Sequence, residues 1–145
     1  MQVPIRVLFL SDGNAARSQM AEALLRSLGG VGFEVRSAGF EPLAVHALAV
    51  QAMREIGVDI SGQRAKHFNE YLQDQFDYSI TLCSHDRHFC PDFLHDIQTL
   101  HWVCDDPGEA GGTEAEKLAA YRRARDEIRA QIERWLATLQ PNIAV

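Results

Sequence analysis

No run of about 18 consecutive apolar residues occurs in this 145-residue chain, which excludes a conventional membrane-spanning helix. A secretory leader is not expected either, because Pro4 and Arg6 interrupt the short apolar segment at the start. Cysteine is scarce. Three cysteines, an odd number, do not make the disulfide framework of a small secreted domain, so any bridging is expected to be catalytic or redox-linked and the compartment cytoplasmic. Positive charge is in deficit, with 14 Lys and Arg against 20 Asp and Glu, and the net charge of −6 argues against a general nucleic-acid surface. An anion site here must be local. Internal repeats, low-complexity segments and linkers are also missing. What is present is an ordinary globular composition, 46% hydrophobic and 23% charged, with room for a single domain over residues 1–145. A monomer is expected.

Along the chain, short apolar runs alternate with amphipathic ones. Val3 to Leu10 is nearly continuous in apolar residues, as expected for a strand buried on both faces of a parallel sheet. Ser18 to Leu28 follows with Met20, Ala21, Leu24, Leu25 and Leu28 at helical spacing, closed by Gly29 and Gly30. Phe33 to Ser37, Tyr78 to Leu82 and Leu100 to Val103 read as further strands, and Val45 to Ile56 as a second helix ended by Gly57. From Thr113 to Leu139, the stripe of Leu118, Tyr121, Ala124, Ile128, Ile132, Trp135 and Leu139 predicts a long helix. Thr113 and Glu116 are spaced as a capping box, and the arginines are expected on a solvated face. The expected fold class is therefore α/β, a single-domain four-stranded parallel sheet flanked by helices on both faces. Ligands in such sheets sit at the strand C-terminal ends, where Ser11, Cys83 and the Asp105-Asp106 pair should emerge.

Between the first strand and the first helix stands Ser11-Asp12-Gly13-Asn14-Ala15-Ala16-Arg17-Ser18. Five residues between Ser11 and Arg17 let a loop curl around one tetrahedral oxyanion, with backbone N–H groups inward and a helix N-terminus behind. Arg17 can close the ring, since its planar guanidinium grips two oxyanion oxygens at once. An arginine at a helix start opposes the helix dipole, and anion contact explains it better than surface exposure. Such a loop also stabilises a thiolate. Serine gains little from it, because an alcohol stays protonated at neutral pH unless a general base adjoins it. Sulfate, phosphate and arsenate are all expected ligands.

Taken with Arg36-Ser37-Ala38-Gly39, Gly57-Val58-Asp59-Ile60-Ser61, Thr81-Leu82-Cys83, Cys90-Pro91, His101-Trp102 and Asp105-Asp106-Pro107, this loop resembles the low-molecular-weight protein tyrosine phosphatase superfamily. Within it the chain is most similar to the thioredoxin-coupled arsenate reductases. The resemblance implies the Rossmann-like low-molecular-weight phosphatase fold and reduction of arsenate to arsenite through a cysteine relay. In that relay the nucleophile is a loop cysteine, and Ser11 stands in its place here. Cys83 and Cys90 match the second and third relay positions, and Asp106 matches the general acid. Asn14 matches a residue that braces the loop, and Ser18 the hydroxyl that stabilises the thiolate. Asn14, Glu22 and Ser37 match positions that bind a potassium ion in some relatives, the one cofactor that the resemblance suggests. Thioredoxin or a similar thiol donor is the implied partner.

Asp12 is a second departure, since the family usually carries threonine or another uncharged residue there; its simplest reading is a solvated side chain. As written, the chain is expected to bind oxyanion without turnover. The alternatives are a non-catalytic oxyanion-binding or sensing pseudoenzyme and a phosphomonoesterase of the same fold. The cysteine pair favours reductase over phosphatase, and no tyrosine-rich Asp-Pro loop is present. Cys83, His85, His88 and Cys90 are also residue types that hold zinc, but Cys-x6-Cys is wider than a structural zinc knuckle and the relay explains both cysteines without metal. Cys104 is read as structural, and His46, His67, His95 and His101 as surface or packing residues.

Overall fold

The computed structural model describes residues 3–83 and 98–139. Four strands, β1 (Ile5–Ser11), β2 (Phe33–Gly39), β3 (Tyr78–Cys83) and β4 (Gln98–Val103), form one sheet in the order β2-β1-β3-β4, all parallel. The helices are α1 (Arg17–Gly29), α2 (Ala47–Arg54) and α3 (Glu114–Leu139), with single 3₁₀ turns at Gly30–Gly32, Phe68–Tyr71 and Pro107–Glu109. Every element expected from the sequence is present, within a few residues at its ends. β2 runs two residues beyond Ser37 because Ala38 and Gly39 stay in register with Leu10 and Ser11.

The continuous apolar run of β1 is explained by burial on both sides. Val7 and Phe9 face a large core shared with α1, α2 and α3, whereas Leu8 and Leu10 face a smaller cluster of Ala38, Phe76, Phe40, Phe68 and Tyr71. Three α-helices thus contribute to one core, and a short helical turn closes the other. β4 lies at the sheet edge and is the most exposed strand, with Val103 44% accessible.

The helix termini follow the residues that the sequence puts there. Thr113 accepts from the Glu116 N–H at 3.1 Å while Glu116 accepts from the Thr113 N–H at 3.0 Å, completing the capping box that starts α3. His46 and His67 are not idle surface groups, since each Nδ1 accepts a backbone N–H, from Leu48 and Asn69 respectively, at the start of a helical turn.

Most arginines of α3 lie on the expected solvated face, Arg122, Arg123, Arg129 and Arg134 being exposed, and Arg125 alone is buried. Arg122 grips the Glu55 carboxylate at 2.6–3.0 Å, and the buried Arg125 donates to both Glu55 and the Ala52 carbonyl, tying α3 to the end of α2. Periodicity shows which residues avoid the core, but says nothing of which of those meet a neighbouring helix end.

Candidate functional site

Because every strand is parallel, Ser11, Cys83 and the residues after β4 all leave the sheet at one edge. The chain between Ser11 and α1 turns back on itself through Asn14, whose φ of 50° lies in the left-handed region that asparagine tolerates better than most residues. Its carbonyls face a neighbouring strap. That of Asp12 accepts from the N–H groups of Phe40 and Glu41, that of Gly13 from Leu43 and that of Ala15 from His46, all at 2.8–2.9 Å. In a trans peptide the N–H points opposite to the C=O, so the N–H groups of Gly13, Asn14 and Ala16 are turned away from that strap. An anion cradle requires this orientation.

α1 begins directly behind the loop with Ala16 at its N-cap, no side-chain acceptor there and no acidic residue in its first turn. Alanine is a poor cap, which leaves the first-turn donors and the positive end of the dipole for an external anion. The glycine that closes β2 is equally specific. A Cβ on Gly39 would lie 2.7 Å from Asn14 N and 2.9 Å from the carbonyl oxygens of Ser11 and Asp12, so a side chain would displace the loop backbone itself.

Under the loop runs a buried polar chain. Ser11 Oγ and Ser18 Oγ are 2.6 Å apart, and the Asn14 amide nitrogen donates to Ser18 at 2.7 Å and to Ser37 at 3.0 Å. Ser37 donates in turn to Glu22. The Asn14 amide oxygen accepts from the Lys66 N–H and from Gln19, each at 2.8 Å, so this side chain braces the loop from both ends as expected. Among the described residues no buried polar side-chain atom lacks a partner.

Asn14, Glu22 and Ser37 are therefore adjacent, but they do not fit a potassium ion. Glu22 already pairs with Arg26, and the Lys66 ammonium stands 3.9 Å from it. The Asn14 oxygen is turned to Lys66 and Gln19 rather than to Ser37. One carboxylate with two cations beside it has no charge left for a third. Burial pushes the Lys66 ammonium below its usual pKa, with Glu22 acting against the shift.

At the mouth, Arg17 is only 4% exposed and donates through Nη1 to the Cys104 carbonyl at 2.8 Å. Its Nη2 lies 3.8 Å from Asp12 Oδ2 and 3.7 Å from Asp106 Oδ2, close enough for charge attraction but outside hydrogen-bonding range. Asp12 is thus no merely solvated side chain; it shares the guanidinium with Asp106. Asp106 Oδ1 accepts from the Gly108 N–H at 2.9 Å, and Pro107 opens the turn that presents the other oxygen to Arg17.

Cys83 ends β3, half-buried, with its carbonyl bonded to the Cys104 N–H at 2.8 Å. Cys90 lies outside the described residues, as do His85, His88 and His95. Cys104 is buried, and its thiol is pushed up to about 12 by that burial, against the charge of Arg17. Its carbonyl matters more than its sulfur, because it aims Arg17.

Tyr121, read as a core position, lies beside the acid turn. Its hydroxyl is pushed up to about 12 by burial and by the charge of Asp106, and its ring stacks on His46 at 4.9 Å. A cleft of about 250 Å³ opens there between His46, Pro107, Gly108, Lys117 and Tyr121. A larger cleft of about 730 Å³, lined by Ile5, Tyr78 and Gln98, lies at the opposite edge of the sheet, away from the loop. Lys66, Gln19 and the Cys104 carbonyl carry no sequence pattern that announces a site; only the fold brings them here.

Comparison with known proteins agrees with this geometry. Residues 6–145 match the family described as low molecular weight phosphotyrosine protein phosphatase. An arsenate reductase from Halalkalibacterium halodurans is 42% identical over 132 residues, covering 91% of this chain and 95% of that protein. A solved arsenate reductase in its phosphate-binding state superposes with a TM-score of 0.79 at 30% identity, covering 92% of this chain and 98% of the other. A thioredoxin-dependent arsenate reductase from Corynebacterium glutamicum gives a TM-score of 0.74 at 30% identity, over 98% of this chain and 65% of that one.

Proposed function

The chain belongs to the low molecular weight phosphotyrosine protein phosphatase family, and from that membership we propose an arsenate-reductase-type protein that, with serine at position 11, binds a tetrahedral oxyanion without turnover. Arsenate and phosphate are the ligands. The loop N–H groups and the Arg17 guanidinium hold the anion, and with a cysteine at position 11 Asp106 would offer the proton to the leaving oxygen.

The observation that carries the second half of the reading is the partner of Ser11. Its hydroxyl is bonded to another hydroxyl, that of Ser18, at 2.6 Å. A hydroxyl is not a base at neutral pH, so this contact cannot deprotonate Ser11 for attack. With a cysteine there, the same Ser18 would donate to a thiolate, and Cys83 followed by Cys90 would resolve the adduct to a disulfide reducible by thioredoxin. Support for that donor comes from the thioredoxin-dependent relative.

The test is to assay the chain and its Ser11→Cys variant for thioredoxin-coupled arsenate reduction and for aryl-phosphate hydrolysis. The Ser11 chain is expected to be silent in both, and Ser11→Cys to gain arsenate reduction. Turnover by the Ser11 chain at the usual enzyme rates of about 1–10³ s⁻¹ would overturn the no-turnover reading. Hydrolysis without reduction in Ser11→Cys would select a phosphomonoesterase. A variant silent in both assays that still binds oxyanion would leave a binding or sensing protein.

A further inference from the structure

Nη1 of Arg17 is committed to the Cys104 carbonyl, which leaves the Nη2 side for a ligand. That is the side where two carboxylates stand, Asp12 at 3.8 Å and Asp106 at 3.7 Å. An oxyanion oxygen hydrogen-bonded to Nη2 therefore shares that donor with two nearby carboxylates, a peculiar way to build an anion site. Asp106 is explained by its turn and its proposed proton. Asp12 stands on the loop itself, with its side chain 38% exposed.

An ionised carboxylate can only accept hydrogen bonds. It repels an oxyanion that has no hydrogen to give, and in a partly buried site that repulsion is less screened than in water. It attracts one that carries a hydroxyl, because the anion then donates an O–H···O⁻ bond, among the stronger kinds. Phosphate and arsenate keep at least one hydroxyl at neutral pH; sulfate keeps none. We infer that Asp12 is a specificity-determining residue that admits hydrogen-bearing oxyanions, phosphate and arsenate, and rejects sulfate. This rests on the oxyanion-binding reading above and narrows its ligand class. It also narrows the expectation that sulfate is among the ligands.

In slightly alkaline buffer sulfate and hydrogen phosphate are both dianions of similar size, so a difference between them isolates the hydrogen. Isothermal titration of the intact chain with each salt, at equal ionic strength, is the experiment. The chain should bind phosphate at least tenfold more tightly than sulfate, and Asp12→Asn should bring the ratio near one, chiefly by a gain in sulfate affinity. Asp12→Thr, measured alongside, should behave the same way and guards against a folding defect in either variant. Equal affinity of the unaltered chain for both anions would overturn the inference and leave the oxyanion site standing. Selectivity that survives both substitutions would overturn the role of Asp12. Binding of neither anion by the unaltered chain would instead bring down the oxyanion-binding reading, and this inference with it.

Discussion

Two arginine–carboxylate groupings in this molecule are built to opposite specifications. Between α2 and α3, Arg122 and Arg125 close on Glu55 at 2.6–3.0 Å, and Arg125 adds the Ala52 carbonyl at 2.8 Å. At the loop mouth, Arg17 has one short bond, to a backbone carbonyl, and two carboxylates at 3.7 and 3.8 Å. The first set spends its donors on protein acceptors. The second is aimed by the carbonyl and keeps its Nη2 side outside hydrogen-bonding range of either carboxylate. An arginine at a helix start, buried and only loosely paired, is arranged for an incoming anion; an arginine fully engaged with its neighbours is arranged to hold helices together.

Removing Arg17 should produce the largest effect. Arg17→Ala is expected to weaken phosphate binding by about 100-fold, roughly 2.7 kcal/mol, in isothermal titration. Arg17→Lys should recover only part, since lysine cannot grip two oxygens. Unchanged affinity in Arg17→Ala would make Arg17 a structural arginine like the others and erase the contrast.

Arg125→Ala should do the reverse. It leaves the Ala52 carbonyl without its donor, a loss of about 1–3 kcal/mol of folding stability, read by denaturant unfolding, while phosphate affinity stays the same. A parallel loss of anion affinity would mean that the clasp and the loop are one coupled unit.

The smallest effect concerns acid. The hydrogen bond from Arg122, reinforced by Arg125, lowers the Glu55 carboxyl from the usual 4.5 to about 2. A carboxyl depressed in the folded state adds stability above its unfolded pKa and loses it as pH falls towards the folded value. Glu55→Gln should therefore flatten the acid limb of the stability curve between about pH 4.5 and 2. An unaltered limb would show that the clasp contributes nothing through its charge.

Local pattern was enough to read the strand–loop–helix order, the capping box at Thr113 and the candidate oxyanion loop. Each of these is decided within a few residues by side-chain periodicity, a turn-forming glycine or a reciprocal hydrogen bond. Asn14 as a brace was legible too, from the resemblance. The potassium ligands were matched one by one, but their fit depended on Lys66, 44 residues beyond Glu22 in the chain and carrying no motif. Asp12 was legible as a departure but not as a partner of Arg17, because the direction of a side chain at a loop turn is set by what surrounds it.

By itself, then, the amino-acid sequence determined which residues could form a cradle: Ser11 to Ser18 at one strand end, with a serine where a thiolate would act. Only the tertiary structure decided what that cradle offers. Parallel strand pairing delivers the Cys104 carbonyl and Asp106 from the far end of the chain to Arg17, 87 residues away in the case of Cys104. Charge interactions depend on distance in space: the strand–helix alternation placed Asp106 at the same sheet edge as Ser11, but only a chain that folds β1 beside β3 and β3 beside β4 sets its distance from Arg17.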